Sequence, residues 1–212
     1  MKINQYFITN DASISFDVPD FSLNKIDDYQ VYNHKNLKVN RFISNNNFLV
    51  ILGDIFDPFN PNHSNDEIGN TLIKHESFDA LVQQLDKLTG RYVMFAKIEG
   101  RYYLLSDFFC QRQTYYCFKD DKFYASSSDK LLLDCLGINL EMDDEKRLLA
   151  KSNYFLKIHE YWLLGENDWD NRLKKLLPNY YLNISKAYKE RFPVFVPQTN
   201  DKRQLEKEIL NI

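Results

Sequence analysis

The sequence predicts an α+β domain in which antiparallel β-sheets pack face to face and helices flank them. Three observations carry this prediction. The stretch from Leu88 to Gly137 holds short apolar runs, Arg91–Ile98, Arg101–Ser106, Thr114–Phe118 and Phe123–Ser126, rich in Tyr, Phe and Val and separated by polar breaks. The chain carries 16 Phe and 14 Tyr, a composition that suits stacked sheets better than a helix bundle. Helical spacing stands on both sides of the meander, each time behind a serine that can cap it.

In chain order, Lys2–Ile8 alternates as a first strand, and residues 10–36 are polar, with short strands and loops. Leu37–Ile43 and Phe48–Leu52 are strands split by the turn Ser44-Asn45-Asn46-Asn47. Pro58 to Asn70 reads as a loop. Ser77 caps a helix whose apolar face is Phe78, Leu81, Val82, Leu85 and Leu88, with Asp79 in its first turn and Gly90 at its end. Glu99-Gly100 suits a two-residue hairpin turn, and Lys119–Lys122 is a second polar break. Ser128 caps a helix with Leu131, Leu132 and Cys135 on its apolar face and Gly137 at its end. Asp143–Lys151 is a short charged helix. Trp169, Leu173, Leu176 and Leu177 recur at helix-like spacing up to Pro178, and Leu205 and Ile209 share a face in the last residues.

At 212 residues one domain with a sizeable core is the default. Charge is nearly balanced, with 27 basic and 30 acidic residues, so no polyanion partner such as nucleic acid is expected. No run is long and apolar enough to span a membrane. The three cysteines, Cys110, Cys117 and Cys135, show no metal-ligand spacing and read as reduced thiols of a cytoplasmic protein. His34, His63, His75 and His159 are far apart, without zinc spacing. The tyrosines at 102, 103, 115 and 116 read as sheet packing, because no basic patch accompanies them.

Three blocks in the meander, in order and spacing, resemble the N-terminal class II glutamine amidotransferase domain of the asparagine synthetase family. Gly90–Phe95 stands where that family has G-x-F-A-F. Ser106–Tyr116 stands in register with R-D-x-x-G-x-[KR]-P-L-Y-Y, with Cys110 in the glycine position and Ser106 in the arginine position. Tyr124-Ala125-Ser126 with Lys130-Leu131-Leu132 stands for F-A-S-E-x-K-A-L. Leu176, Pro178, Tyr181 and Leu182 keep places in the family's L-x-P-G-H-Y-L segment. The resemblance implies a four-layer αββα sandwich of two antiparallel sheets. It also implies an amidotransferase-like domain over 1–197, with 168–197 leading towards a synthetase domain and 198–212 a linker or the start of one.

The family's chemistry needs an N-terminal cysteine whose thiol attacks the glutamine amide while its own α-amine serves as base. Lys2 stands there. An Asn side chain and a Gly N–H form the family's oxyanion hole. Here Leu52-Gly53-Asp54 fills that place, and an aliphatic side chain cannot donate. Gly53 and Asp54 would be vestiges of the pocket, or simply a strand end and its turn. Glu76 and Asp79 are candidates for the acid that grips a substrate amine. Asp107 and Arg112 read as pocket-lining or, preferably, as a pair bracing the hairpin connection. The expectation is a domain without glutaminase activity and without cofactors of its own. ATP and Mg would belong to an ATP-pyrophosphatase-type synthetase domain, in cis or in trans, which the chain stops short of. The alternative is a stand-alone scaffold or regulatory module. If the chain is half of a synthetase, part of the apolar set Trp169, Leu173, Leu176, Leu177, Phe192, Val194, Phe195, Val196, Leu205, Ile209, Leu210 and Ile212 is expected to be exposed, or covered by self-association; burial of Leu173, Phe195, Leu205 and Ile209 by the chain itself would favour the stand-alone module.

Overall fold

The structure, a computed structural model, describes residues 4–193 except 15, 159–162 and 164. Two six-stranded sheets stack on each other, and every strand pairing in them is antiparallel. The first sheet runs, edge to edge, β10 (Lys174–Lys175), β8 (Tyr115–Lys119), β9 (Lys122–Ser126), β1 (Tyr6–Thr9), β3 (Tyr29–His34) and β2 (Phe21–Ile26). The second runs β12 (Tyr188–Arg191), β11 (Tyr180–Asn183), β7 (Arg101–Ser106), β6 (Thr89–Ile98), β5 (Asn47–Phe56) and β4 (Val39–Ser44).

Period-two alternation assigns each strand's side chains to layers. Phe48, Val50 and Leu52 of β5, with Val93 and Phe95 of β6, meet Tyr6, Ile8, Val31, Phe123 and Ala125 between the sheets. The intervening Leu49, Ile51, Tyr92 and Met94 face outward. There α1 (Asn65–Leu72) and α2 (Phe78–Leu85) cover them with Ile68, Leu72, Leu81 and Leu85. On the far face of the first sheet, Phe7, Cys117 and Tyr124 are covered by Leu132 and Leu133 of α3 (Asp129–Leu136). The order is therefore helix, sheet, sheet, helix: the αββα sandwich.

Local chemistry matches the predicted breaks. Glu99 and Gly100 both take positive φ between the paired Ile98 and Arg101, as do Asp120 and Asp121 between Lys119 and Lys122. Those are the dihedral signs of a two-residue hairpin turn that follows sheet twist. Ser77 and Ser128 cap α2 and α3 with their side chains, and Gly137 closes α3 at φ 63°.

Several expectations need correction. Pro58 to Asn70 is not all loop, because α1 begins at Asn65. Ser64 and Glu67 close a reciprocal capping box there, which offsets the poor helix formers around it. Gly90 does not end α2, which stops at Leu85 with Asp86 as its cap; Gly90 lies inside β6. The first strand begins at Tyr6, and Lys2 lies outside the described residues. The segment 168–178 is not helical. Its apolar residues serve a hairpin in which Asn167 bridges Lys174 and β10 pairs with β8. Of the apolar set expected to be partly exposed, Leu173 and Leu176 are buried here and Phe192 is buried after β12 (Tyr188–Arg191), while Trp169 and Leu177 are half-buried. Val194, Phe195, Val196, Leu205, Ile209, Leu210 and Ile212 lie outside the described residues. The expected charged helix is present as α4 (Asp144–Ala150), capped by Asp143 and with none of its residues buried. It leads to α5 (Asn153–Ile158).

Candidate functional site

The start of β1, the end of β5 and the β7–β8 connection converge at one end of the sandwich. β1 lies between β3 and β9, and Asn4, just before it, and Tyr6, its first residue, contact Arg112 and Thr114 of the β7–β8 connection. The Tyr6 hydroxyl lies 2.6 Å from Thr114 Oγ1 in a buried contact, and burial pushes its pKa up. The Arg112 guanidinium donates from Nη1 to the Asn4 carbonyl at 3.0 Å. Its Nε is shut off from solvent without a hydrogen-bond partner. Burial and the neighbouring charge of Arg91 lower the guanidinium pKa, against the opposing pull of Asp54 and Asp107.

Asp107 organises the connection. Its Oδ1 accepts from the backbone N–H groups of Phe109 (3.2 Å) and Gln111 (3.1 Å), and its Oδ2 from that of Arg112 (3.4 Å). A buried carboxylate with several N–H donors fixes a loop as an N-cap fixes a helix. Cys110 sits inside this loop at φ 49°, in the left-handed region where the resembled family has glycine. Its thiol, beside Ser106 Oγ at 2.8 Å, is pushed up to about 11 by burial, which keeps it protonated and unreactive.

Gly53 and Asp54 are not the strand end and turn expected: β5 continues through them to Phe56, and they pair with Tyr92 and Arg91 of β6. At φ 120° Gly53 takes a conformation that side chains avoid. A Cβ there would clash with the Arg91 carbonyl and stand 3.1 Å from Arg112 Nε. Both of its backbone groups are committed. Its N–H donates to the Lys38 carbonyl at 2.9 Å, and its carbonyl accepts from Asn65 Nδ2 at 2.8 Å. Leu52 points into the core between the sheets, fully buried. Asp54 is exposed, 3.6 Å from Lys38 Nζ. Thus Gly53 and Arg112 meet, Asp107 holds the loop behind them, and Asp54 stands at the surface.

Glu76 and Asp79 are both exposed. Asp79 lines a hollow with Glu99, Arg101 and Glu190, a different neighbourhood from that of Gly53. Asn65 escaped the sequence reading, although its Oδ1 also accepts from the Ile55 N–H at 3.2 Å. Its signal was the Ser64–Glu67 capping box, which makes Asn65 the first residue of a helix.

On the other side of the Asp107–Thr114 loop lies a cavity of about 270 Å³ lined by Phe109, Cys110, Gln113, Lys175, Leu176 and Pro178, among others. Among the described residues no group of three His, Cys, Asp or Glu stands close enough to hold a metal ion. Among them, too, no helix is long and apolar enough to cross a membrane.

No family model matches the sequence, and no curated protein matches it. Among solved structures, the chain is similar to glutamine phosphoribosylpyrophosphate amidotransferase from B. subtilis, complexed with ADP and GMP. The TM-score is 0.46 and the identity 13%, over 79% of this chain and 36% of that one. A structure of the allosteric regulatory enzyme of purine biosynthesis is similar with a TM-score of 0.46 and 14% identity, over the same shares. The chain thus spans about a third of the length of these two proteins, and neither is described as an asparagine synthetase.

Proposed function

We propose that this chain is a glutamine amidotransferase-type domain that does not hydrolyse glutamine. Its role would be the front half of an ATP-dependent amide- or amine-forming synthetase. The observation that carries the reading is the state of Gly53. Amide hydrolysis needs donors aimed at the developing oxyanion. Inside β5 the Gly53 N–H is already given to Lys38, and the neighbouring position offers the aliphatic, core-facing Leu52. The segment Met1–Gln5, leading into β1, contains no thiol or hydroxyl to act as nucleophile. Nearby, the Cys110 thiol is held protonated and the Thr114 hydroxyl is bound to Tyr6.

The partner in this reading is an ATP-pyrophosphatase-type synthetase domain, in cis or in trans, and ATP and Mg act there. The boundaries at 1–197 and 198–212 belong to the same proposal. The exposed leucines of the α4–α5 region, Leu140, Leu148, Leu149 and Leu156, support a contact surface for a partner or for a second copy. The same surface fits the second reading, a stand-alone binding module. Ammonia release from glutamine labelled with ¹⁵N in its side-chain amide tests the core of the proposal. No labelled ammonia above the buffer control is expected, and release that scales with protein concentration would refute it.

A further inference from the structure

Asp168 is buried, with 4% of its surface exposed, and its Oδ2 has no hydrogen-bond partner. Two residues on, Asp170 is fully buried and fully used. It accepts from the Glu141 N–H at 2.8 Å, from the Arg172 N–H at 2.9 Å and from Arg172 Nε at 2.8 Å. Both lie in the hairpin from Gly165 to Leu176, whose near end forms a wall of the 270 Å³ cavity through Gly165, Lys175 and Leu176. This hairpin joins the first sheet through the two-residue edge strand β10 and the Leu176 N–H, which donates to the Thr114 carbonyl at 2.9 Å.

We propose that the Gly165–Leu176 hairpin is a pH-sensitive flap over this cavity, docked while Asp168 is protonated and loosened when Asp168 loses its proton to solvent. The groups that face Asp168 come from three elements. Asp129 in the first turn of α3 repels its charge, Lys175 of β10 offsets part of that repulsion, and Tyr115 of β8 is itself raised by burial and by both acids. The N–H groups of Trp169 and Asp170 favour the ionised form, but burial outweighs them and lifts the Asp168 pKa to about 6. Asp170, paired with Arg172 and with the Glu141 N–H, keeps the far end of the hairpin pinned when Asp168 ionises.

The sign follows from linkage. A carboxyl raised in the docked state favours docking most fully below its ordinary value, and that gain is lost as pH rises through about 6. A rise from 3.8 to about 6 corresponds to a change of about a hundredfold in the docking equilibrium. The inference is independent of the glutaminase reading. Hydrogen exchange of the full chain at pH 5.0 and pH 7.5, corrected for intrinsic rates, tests it. The amides of Lys175 and Leu176 should lose protection at the higher pH, while those of β5 and β6 keep theirs. Asp168→Asn should leave the hairpin's protection independent of pH, and Asp129→Asn should move the wild-type transition to lower pH. Equal protection of the wild-type hairpin at both values, or an unchanged pH dependence in Asp168→Asn, would overturn the proposal.

Discussion

Asp107 holds Arg112 by its backbone N–H, and the Arg112 guanidinium turns away to the Asn4 carbonyl. The two charges stand five residues apart in one motif, yet the bracing is done by main chain. The carboxylate shapes the loop, and the loop then aims the guanidinium across Gly53 at the start of β1.

Asp107→Ala should therefore destabilise the domain by about 1–3 kcal/mol, the cost of leaving buried N–H groups unsatisfied. Asp107→Asn keeps one acceptor oxygen and should cost less. Urea denaturation of the two variants measures both and their order.

Gly53→Ala should cost roughly 2–4 kcal/mol, because a positive φ and a clash with the Arg91 carbonyl act together. Gly100→Ala is the control: its φ is also positive, but nothing lies within 4 Å of the added methyl, so strain alone should cost about 1 kcal/mol. Thermal melts of the pair separate the close approach from the dihedral.

Asp170 supplies a pH dependence opposite to that of Asp168. Burial alone would raise it, but hydrogen bonds from Arg172 and the Glu141 N–H outweigh burial and hold its pKa below the ordinary carboxylate range. Its stabilisation is present above the ordinary value and is lost as pH falls through the depressed one. Arg172→Ala should weaken the domain at pH 7 and shrink the loss of stability on acidification, as read from denaturation at pH 7 and pH 3.

The cysteines should react slowly in the native state. Burial pushes the Cys117 thiol up to about 12 and the Cys110 thiol up to about 11, so neither forms much thiolate at neutral pH. Intact mass should show three thiols and no disulfide. Labelling of Cys110 and Cys117 should be slow at pH 7.5 and fast in denaturant.

The sequence displayed the local part of the architecture. Hairpin turns such as Glu99-Gly100 and caps such as Ser77 and Ser128 act within a few residues, so their residue types announce them. What it could not display is set between distant segments. Nothing in Tyr6–Thr9 says that the strand inserts between β3 and β9, and nothing in Gly53 says that Lys38 and Asn65 take up its backbone groups. Trp169, Leu173, Leu176 and Leu177 show a helical period, yet they bury themselves to different degrees along a hairpin. Pairing with Tyr115 and Tyr116 overrides the spacing there. The αββα sandwich was expected from a resemblance carried by the meander, and the structure builds it from alternation in every central strand.

The most direct test of the central claim is chemical. A diazoketone analogue of glutamine alkylates an amidotransferase nucleophile when a carboxamide pocket and an oxyanion site present it correctly. Incubated with the full chain at neutral pH and followed by intact mass, it should leave the protein at its unmodified mass. A stoichiometric adduct that glutamine competes away would contradict the account.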